Sequence, residues 1–167
     1  MIRPSSLLCS FSLLPVFVFL PGCGGGGSSQ RDRLSLSGRN SDGLSISLSQ
    51  QSAAIARGQG NRYTLTLKNN TSRTQSFFAF EDAQGFSPGD LTVSDQSDRE
   101  VFSFVDLSTT LDGIELKPNQ ALTRTISVPA SAFAQIGTYR ARADFTNGFI
   151  GGDGSFDPLG PLEVRVR

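Results

Sequence analysis

From Gly43 onward the chain alternates apolar and polar positions with period two, the mark of strands with one face buried and one in water. Leu44, Ile46 and Leu48 alternate with Ser45, Ser47 and Ser49, and Tyr63, Leu65 and Leu67 alternate with Thr64, Thr66 and Lys68. Asn69-Asn70-Thr71-Ser72 then marks a turn, because these side chains bond readily to nearby backbone. Phe77 to Phe80 predicts the next strand, followed by a polar loop through Gly85 and Pro88-Gly89. Leu91-Thr92-Val93 and Val101 to Val105 predict two strands around a turn at Asp95 to Arg99. Ile114-Glu115-Leu116 leads into Pro118-Asn119, which suits a type I turn. Leu122, Ile126 and Val128 share a face that Arg124 interrupts.

Pro129 ends that strand, since it cannot donate to a ladder. Ala130 to Gln135 reads as a single helical turn, and Gly137-Thr138-Tyr139 opens a strong strand. In it Tyr139, Ala141, Ala143 and Phe145 face one side, and Arg140, Arg142 and Asp144 the other. The last strand, Leu162 to Val166, turns Leu162, Val164 and Val166 inward and Glu163, Arg165 and Arg167 outward. About seven to nine short strands with turns between them predict an all-β fold, an antiparallel β-sandwich with one short helical turn. A strand ended by Pro129, a short crossing and then Gly-x-Tyr resembles the order in immunoglobulin-like domains. There a tyrosine at the start of the sixth strand bonds back into the preceding corner. Tyr139 is placed for that structural role, or for an ordinary place in the core.

The first 42 residues do not alternate. Arg3 precedes an apolar run from Leu7 to Leu20, and Pro21-Gly22 then leads to Cys23. These are the charged, apolar and small-residue parts of a secretory signal. The run is about 14 residues, short of the ~20 needed to span a bilayer. Leu20-Pro21-Gly22-Cys23 resembles the signal of bacterial lipoproteins, in which a leucine and two mostly small residues precede the acylated cysteine. The resemblance implies removal of residues 1–22 and acylation (palmitate among the chains) of Cys23. More than one chain would hold the protein on a bilayer, at about 0.8 kcal/mol per buried CH₂. Gly24, where an aspartate is absent, implies the sorting class of the outer membrane, facing the periplasm. Residues 23–42, rich in Gly, Ser, Arg, Asp and Asn, read as a tether, in which Leu34 and Leu36 offer a short first strand. About ten flexible residues reach roughly 17 Å. Residues 43–167 form the expected sandwich domain.

Composition narrows the chemistry. Lys plus Arg and Asp plus Glu are 15 each, so no global basic field invites nucleic acid. The two cysteines, Cys9 and Cys23, lie in the signal and at its border. The folded part therefore has no thiol for a disulfide, a nucleophile or a metal. The chain has no His, which removes a Ser-His-Asp arrangement. No P-loop is present. Glu81-Asp82 are adjacent and point to opposite faces of a strand, a poor arrangement for acid and base. These features predict a non-catalytic chain with no cofactor and no metal. The expected role is a binding module of the cell envelope, with the membrane reached through the lipid and an envelope protein or glycan as partner.

The run from Tyr63 to Phe145 resembles immunoglobulin-like modules of the Bacillus intracellular proteinase inhibitor family. The resemblance rests on Tyr-Thr-Leu-Thr-Leu-Lys-Asn-Asn-Thr-Ser from Tyr63, Leu91 to Asp95, and Val101-Phe102. It continues through Leu-Lys-Pro-Asn-Gln at Leu116 to Gln120 and Gly137-Thr138-Tyr139. It implies the sandwich fold and, as an alternative function, an exported protease inhibitor; the family's Trp landmarks are missing, and no inhibitory residue carries over.

Two places invite recognition. The stretch from Thr146 to Pro161 is long for a hairpin connection and carries Phe149, Ile150, Phe156 and Leu159 among glycines. It is either a binding loop or a lid that folds its own apolar groups over the core. Within it Asp153 and Asp157 flank Ser155, oxygens of a kind calcium favours, but the later Glu of an EF-hand loop is absent and turn-forming Asp suffices. The second place is a basic face: if the last two strands pair, Arg140, Arg142, Arg165 and Arg167 project together, beside Asp144 and Glu163.

Overall fold

The computed structural model describes residues 33–39, 43–82, 85–105, 111–145 and 156–167. The strands, in chain order, are β1 (Ser35–Arg39), β2 (Leu44–Gln50), β3 (Ala54–Ile55), β4 (Asn61–Asn69), β5 (Gln75–Asp82) and β6 (Gly85–Ser87). They continue with β7 (Asp90–Ser94), β8 (Glu100–Phe104), β9 (Leu111–Leu116), β10 (Ala121–Val128), β11 (Gly137–Asp144) and β12 (Leu159–Val166). Among the described residues the helical structure is one 3₁₀ turn, Ala130–Phe133, where a helical turn is expected. The fold is an all-β sandwich.

The first sheet has the order β1-β2-β4-β10 and is antiparallel throughout. The second has the order β3-β12-β11-β7-β8, antiparallel except where the two-residue β3 runs parallel to β12. The third, β6-β5-β9, is short and antiparallel. Three strands, β1, β3 and β6, lie beyond the expected seven to nine; β3 and β6 are too short to leave a periodic trace.

The alternation sorts as the period demands. Leu44, Ile46, Leu48, Tyr63, Leu65, Leu67, Ile126 and Val128 turn inward from the first sheet. Leu91, Val93, Tyr139, Ala141, Ala143, Leu162, Val164 and Val166 meet them from the second, in one continuous cluster. Each fully buried Leu or Val contributes roughly 1.5–3 kcal/mol over its exposed state. With no disulfide available, this packing and the ladders hold the domain.

Buried polar groups fasten the sheets at specific points. Gln50 donates from Nε2 to the Arg33 carbonyl at 2.9 Å and to the Glu163 carbonyl at 2.7 Å, joining the first sheet to the second. Asn69, fully buried, donates to the Arg73 and Leu116 carbonyls, both at 2.8 Å. Its Oδ1 accepts from the Thr71 N–H and hydroxyl. Asn69 thus builds the turn that Asn69-Asn70-Thr71-Ser72 announces.

The folded part begins before Gly43. Gln50 holds the Arg33 carbonyl, β1 pairs with β2 along its length, and Leu36 packs on the core. Part of the stretch read as a tether is therefore the edge strand of the first sheet, the short strand that Leu34 and Leu36 offered.

Candidate functional site

Cys23 and residues 24–32 lie outside the described residues, as do Phe149, Ile150 and Asp153. What is described of the long connection is its return. Phe156 is half-buried against the core, its ring 6.1 Å from that of Phe145, while Asp157 is exposed. β12 starts at Leu159, three residues before the expected Leu162, so Leu159-Gly160-Pro161 belongs to the strand. Gly160 is required there: its φ is +144°, and a Cβ would stand 2.9 Å from the Ala141 carbonyl.

Tyr139 closes the corner between the sheets. Its hydroxyl donates to the Gln135 carbonyl at 3.0 Å and accepts from the Gln135 N–H at 3.2 Å. Its ring meets Phe133 edge-on at 5.2 Å. The hydroxyl bonds back four residues into the corner that follows β10, the arrangement of a tyrosine corner.

β11 and β12 pair antiparallel, with Thr138 opposite Arg165 and Arg140 opposite Glu163. Arg140, Arg142 and Arg165 share the outer face, and Arg167 follows the end of β12. The same face carries Asp144 and Glu163, and Asp90 from β7. Arg140 also bonds Asp98 of the neighbouring turn at 2.9 Å. The four arginines thus sit in a mixed-charge surface. Asp98 is positioned by a turn that Asp95 caps, accepting from the Ser97 and Arg99 N–H groups at 2.9 and 3.1 Å. Slight burial opposes it, but these two donors and the Arg99 guanidinium hold the Asp95 carboxyl below its usual range.

The outer face of the first sheet has a different composition. Its registers stack four rows across the strands. Arg39, Ser45, Lys68 and Ala121 make one row, and Ser37, Ser47, Thr66 and Thr123 the next. Ser35, Ser49, Thr64 and Thr125 make a third, and Arg62 beside Ser127 closes the far end. Thr64 and Thr125 hydroxyls meet at 3.3 Å, and Thr66 and Thr123 at 3.4 Å. Among the described residues this face holds no carboxylate. The signal was present in the sequence as the polar half of each alternating strand, but only the register shows that those halves form one surface.

Arg124 turns inward, which its place between Leu122 and Ile126 foreshadows. It is 5% exposed, its guanidinium carbon 5.4 Å above the Phe104 ring, and it donates to the Gly85 carbonyl at 3.3 Å. Phe102, Phe104, Arg124, Thr125, Ile126 and Ser127 line a cleft of about 260 Å³, below the ~300–1,000 Å³ of ordinary small-molecule sites. Glu81 and Asp82 are neighbours in β5, opposite Phe86 and Gly85. Among the described residues no three His, Cys, Asp or Glu gather as a metal would need. No helix of the described residues is long and apolar enough to cross a membrane.

No family model matches the chain, and no curated protein matches it. Among solved structures it is similar to a β-glucosidase from Listeria innocua at 14% identity and TM-score 0.41, over 73% of this chain but 16% of that one. The β-glucosidase EmGH1 from Erythrobacter marinus matches at 10% identity and TM-score 0.41, over 81% and 16%. The C-terminal domain of Wzt matches at 9% identity and TM-score 0.40, over 84% and 83%. The chain thus spans about a sixth of the length of the glucosidases. These likenesses are too distant to carry a function.

Proposed function

We propose that this chain is a lipid-anchored, non-catalytic binding module of the bacterial cell envelope. One observation carries the reading. Leu20-Pro21-Gly22-Cys23 stands between an apolar run too short to span a bilayer and a Gly/Ser stretch that leads straight into a β-sandwich. In this reading Cys23 becomes the acylated N-terminus, residues 24–32 the tether, and the sandwich is presented on the outer membrane, facing the periplasm. The domain acts by surface recognition, using its sheet faces and the connection between β11 and β12, with no bond made or broken.

The test is the state of residue 23. Mass spectrometry of the protein from its native envelope is expected to find a chain beginning at Cys23 and carrying acyl groups. Cys23→Ser is expected to leave the sandwich folded and release it from the membrane fraction. An unmodified, uncleaved N-terminus would overturn the anchor and the location together.

A further inference from the structure

The outer face of the first sheet is rich in donors and poor in obligate acceptors. Arg39 and Lys68 stand at one end and Arg62 at the other, all exposed, with rows of Ser and Thr hydroxyls between them. Arg and Lys only donate hydrogen bonds, and each bonded pair of threonine hydroxyls keeps one donor to offer. The strands on this face present no outward aromatic ring or carboxylate among the described residues, so nothing on them would stack on a sugar ring, and the Asn70 amide at the end of β4 donates to the Ser45 hydroxyl at 2.7 Å. The chemistry complements a surface crowded with anionic oxygens. At the Arg62 end the face adjoins a hollow of about 370 Å³, lined by Gln51, Gly60, Asn61, Arg62, Ser127 and Val128.

The route of the chain decides which anionic surface lies within reach. β1 is the edge strand of this sheet, and the residues before it run back to Cys23. A tether of that length reaches roughly 17 Å on average. A membrane holding Cys23 is therefore close to β1, and cations near an anionic leaflet gain about 1 kcal/mol each within a Debye length of it.

We infer that the first sheet's outer face docks on the anionic phospholipid head groups of the bilayer that anchors the chain. Arg39, Arg62 and Lys68 meet phosphates, and the hydroxyl rows donate to phosphate oxygens between them. The choice of lipid rests on the anchored reading of Cys23. Docked this way, the domain lies with its first sheet down and leaves the mixed-charge second sheet turned to the periplasm.

The experiment uses the chain from residue 23 with Cys23→Ser, so no acyl group contributes. The buried apolar residues all lie between Leu44 and Val166 among those described, so this chain keeps the core. It is sedimented with vesicles of phosphatidylcholine alone or mixed with phosphatidylglycerol. Binding is expected only with the anionic lipid and is expected to weaken as salt rises. Combining Arg39→Gln, Arg62→Gln and Lys68→Gln should weaken it about tenfold or more. Arg140→Gln, Arg142→Gln and Arg165→Gln together should leave it unchanged. Thr66→Val with Thr123→Val, which keeps shape and strand preference, should weaken it by a smaller factor, and melting curves confirm that each variant is folded. Equal binding to both vesicles, none to either, or equal loss in the two triple variants overturns the inference. Binding to soluble polygalacturonate without binding to vesicles also overturns it, in favour of an acidic glycan. An acylated Cys23 with vesicles ignored sinks the docking alone. An unmodified Cys23 with the vesicle pattern intact sinks the anchor alone.

Discussion

The two outer faces of this sandwich come from the same alternating pattern and differ in how their charges are answered. On the second sheet Arg140 faces Glu163 across the ladder and bonds Asp98, and Arg142 and Arg165 share the surface with Asp90 and Asp144. On the first sheet, among the described residues of its strands, Arg39, Arg62 and Lys68 share theirs with hydroxyls and Ala121 and with no carboxylate. A face that answers its own charges is complete in water. A face with charges of one sign gains by meeting the other sign elsewhere. The count of arginines in a strand is therefore a poor guide to a binding face; the sign of what lies across the ladder decides.

The comparison holds only if the two sheets are equivalent on the inside. Leu65 in the first sheet and Leu162 in the second are both buried in one core. Leu65→Ala and Leu162→Ala should each cost about 2–5 kcal/mol, read as the shift in a urea midpoint. A cost below 1 kcal/mol for either one would mean that its sheet is not part of a shared core.

Next in size is Asn69→Ala, expected to cost about 2–4 kcal/mol. It leaves the Leu116 and Arg73 carbonyls without the amide they bond and dismantles the turn at the end of β4. Loss of Asn69 would also loosen the end of the first sheet where Lys68 pairs with Ser45. The urea midpoint reads the first effect, and faster amide hydrogen exchange at Thr71 and Arg73 reads the second.

The alternating strands were legible because period two writes both the buried and the wet face into adjacent letters. Asn69-Asn70-Thr71-Ser72 announced its own turn, and Tyr139 its corner, because both act within a few residues. Three things were not legible for one reason: they depend on partners distant in sequence. Arg124 stands on an inward face in the sequence, but the groups that receive it there, the Phe104 ring and the Gly85 carbonyl, arrive only from β8 and β6. Leu34 and Leu36 offer a short strand within a tether, but only the ladder with β2 makes Ser35–Arg39 the edge of the sheet. The hydroxyl rows look like solvent-facing filler until the registers of β1, β2, β4 and β10 align them. The arginine row, Arg140 to Arg167, is visible as spacing, but its balancing Asp98 and Asp90 are not.

A matched pair of tyrosines, one on each sheet, sharpens the comparison. Tyr139→Phe should cost about 1–2 kcal/mol, because the Gln135 N–H and carbonyl lose the hydroxyl that joins them. Tyr63→Phe should be neutral or slightly stabilising. Among the described residues its buried hydroxyl has no well-formed hydrogen bond, and burial pushes its pKa far above the ordinary tyrosine value, with the nearby Asn61 side chain pulling weakly the other way. Equal costs for the two would show that the Tyr63 hydroxyl is held by a partner, the Asn61 side chain being the neighbour at hand.

The smallest effect is electrostatic and confined to the second sheet. The Asp95 carboxyl is held below its ordinary value by the Ser97 and Arg99 donors and the Arg99 charge, against slight burial. A carboxylate whose folded pKa is depressed stabilises above its unfolded pKa, near 3.9, and loses that contribution as pH falls through the folded value. Acid should therefore loosen the turn from Asp95 to Arg99, and with it the hold of Asp98 on Arg140. Amide shifts of Ser97 and Arg99 should move together below pH ~4, while those of Ser47 and Thr66, on a face without a described carboxylate, stay still. Asp95→Asn should remove the low-pH transition at Ser97 and Arg99 and leave the midpoint of unfolding at neutral pH nearly unchanged, because an ion pair with the exposed Arg99 contributes little there and the amide oxygen of Asn still caps the turn. Shifts of equal size on both sheets would mean that the first face senses a carboxylate after all, and its one-signed character would be lost.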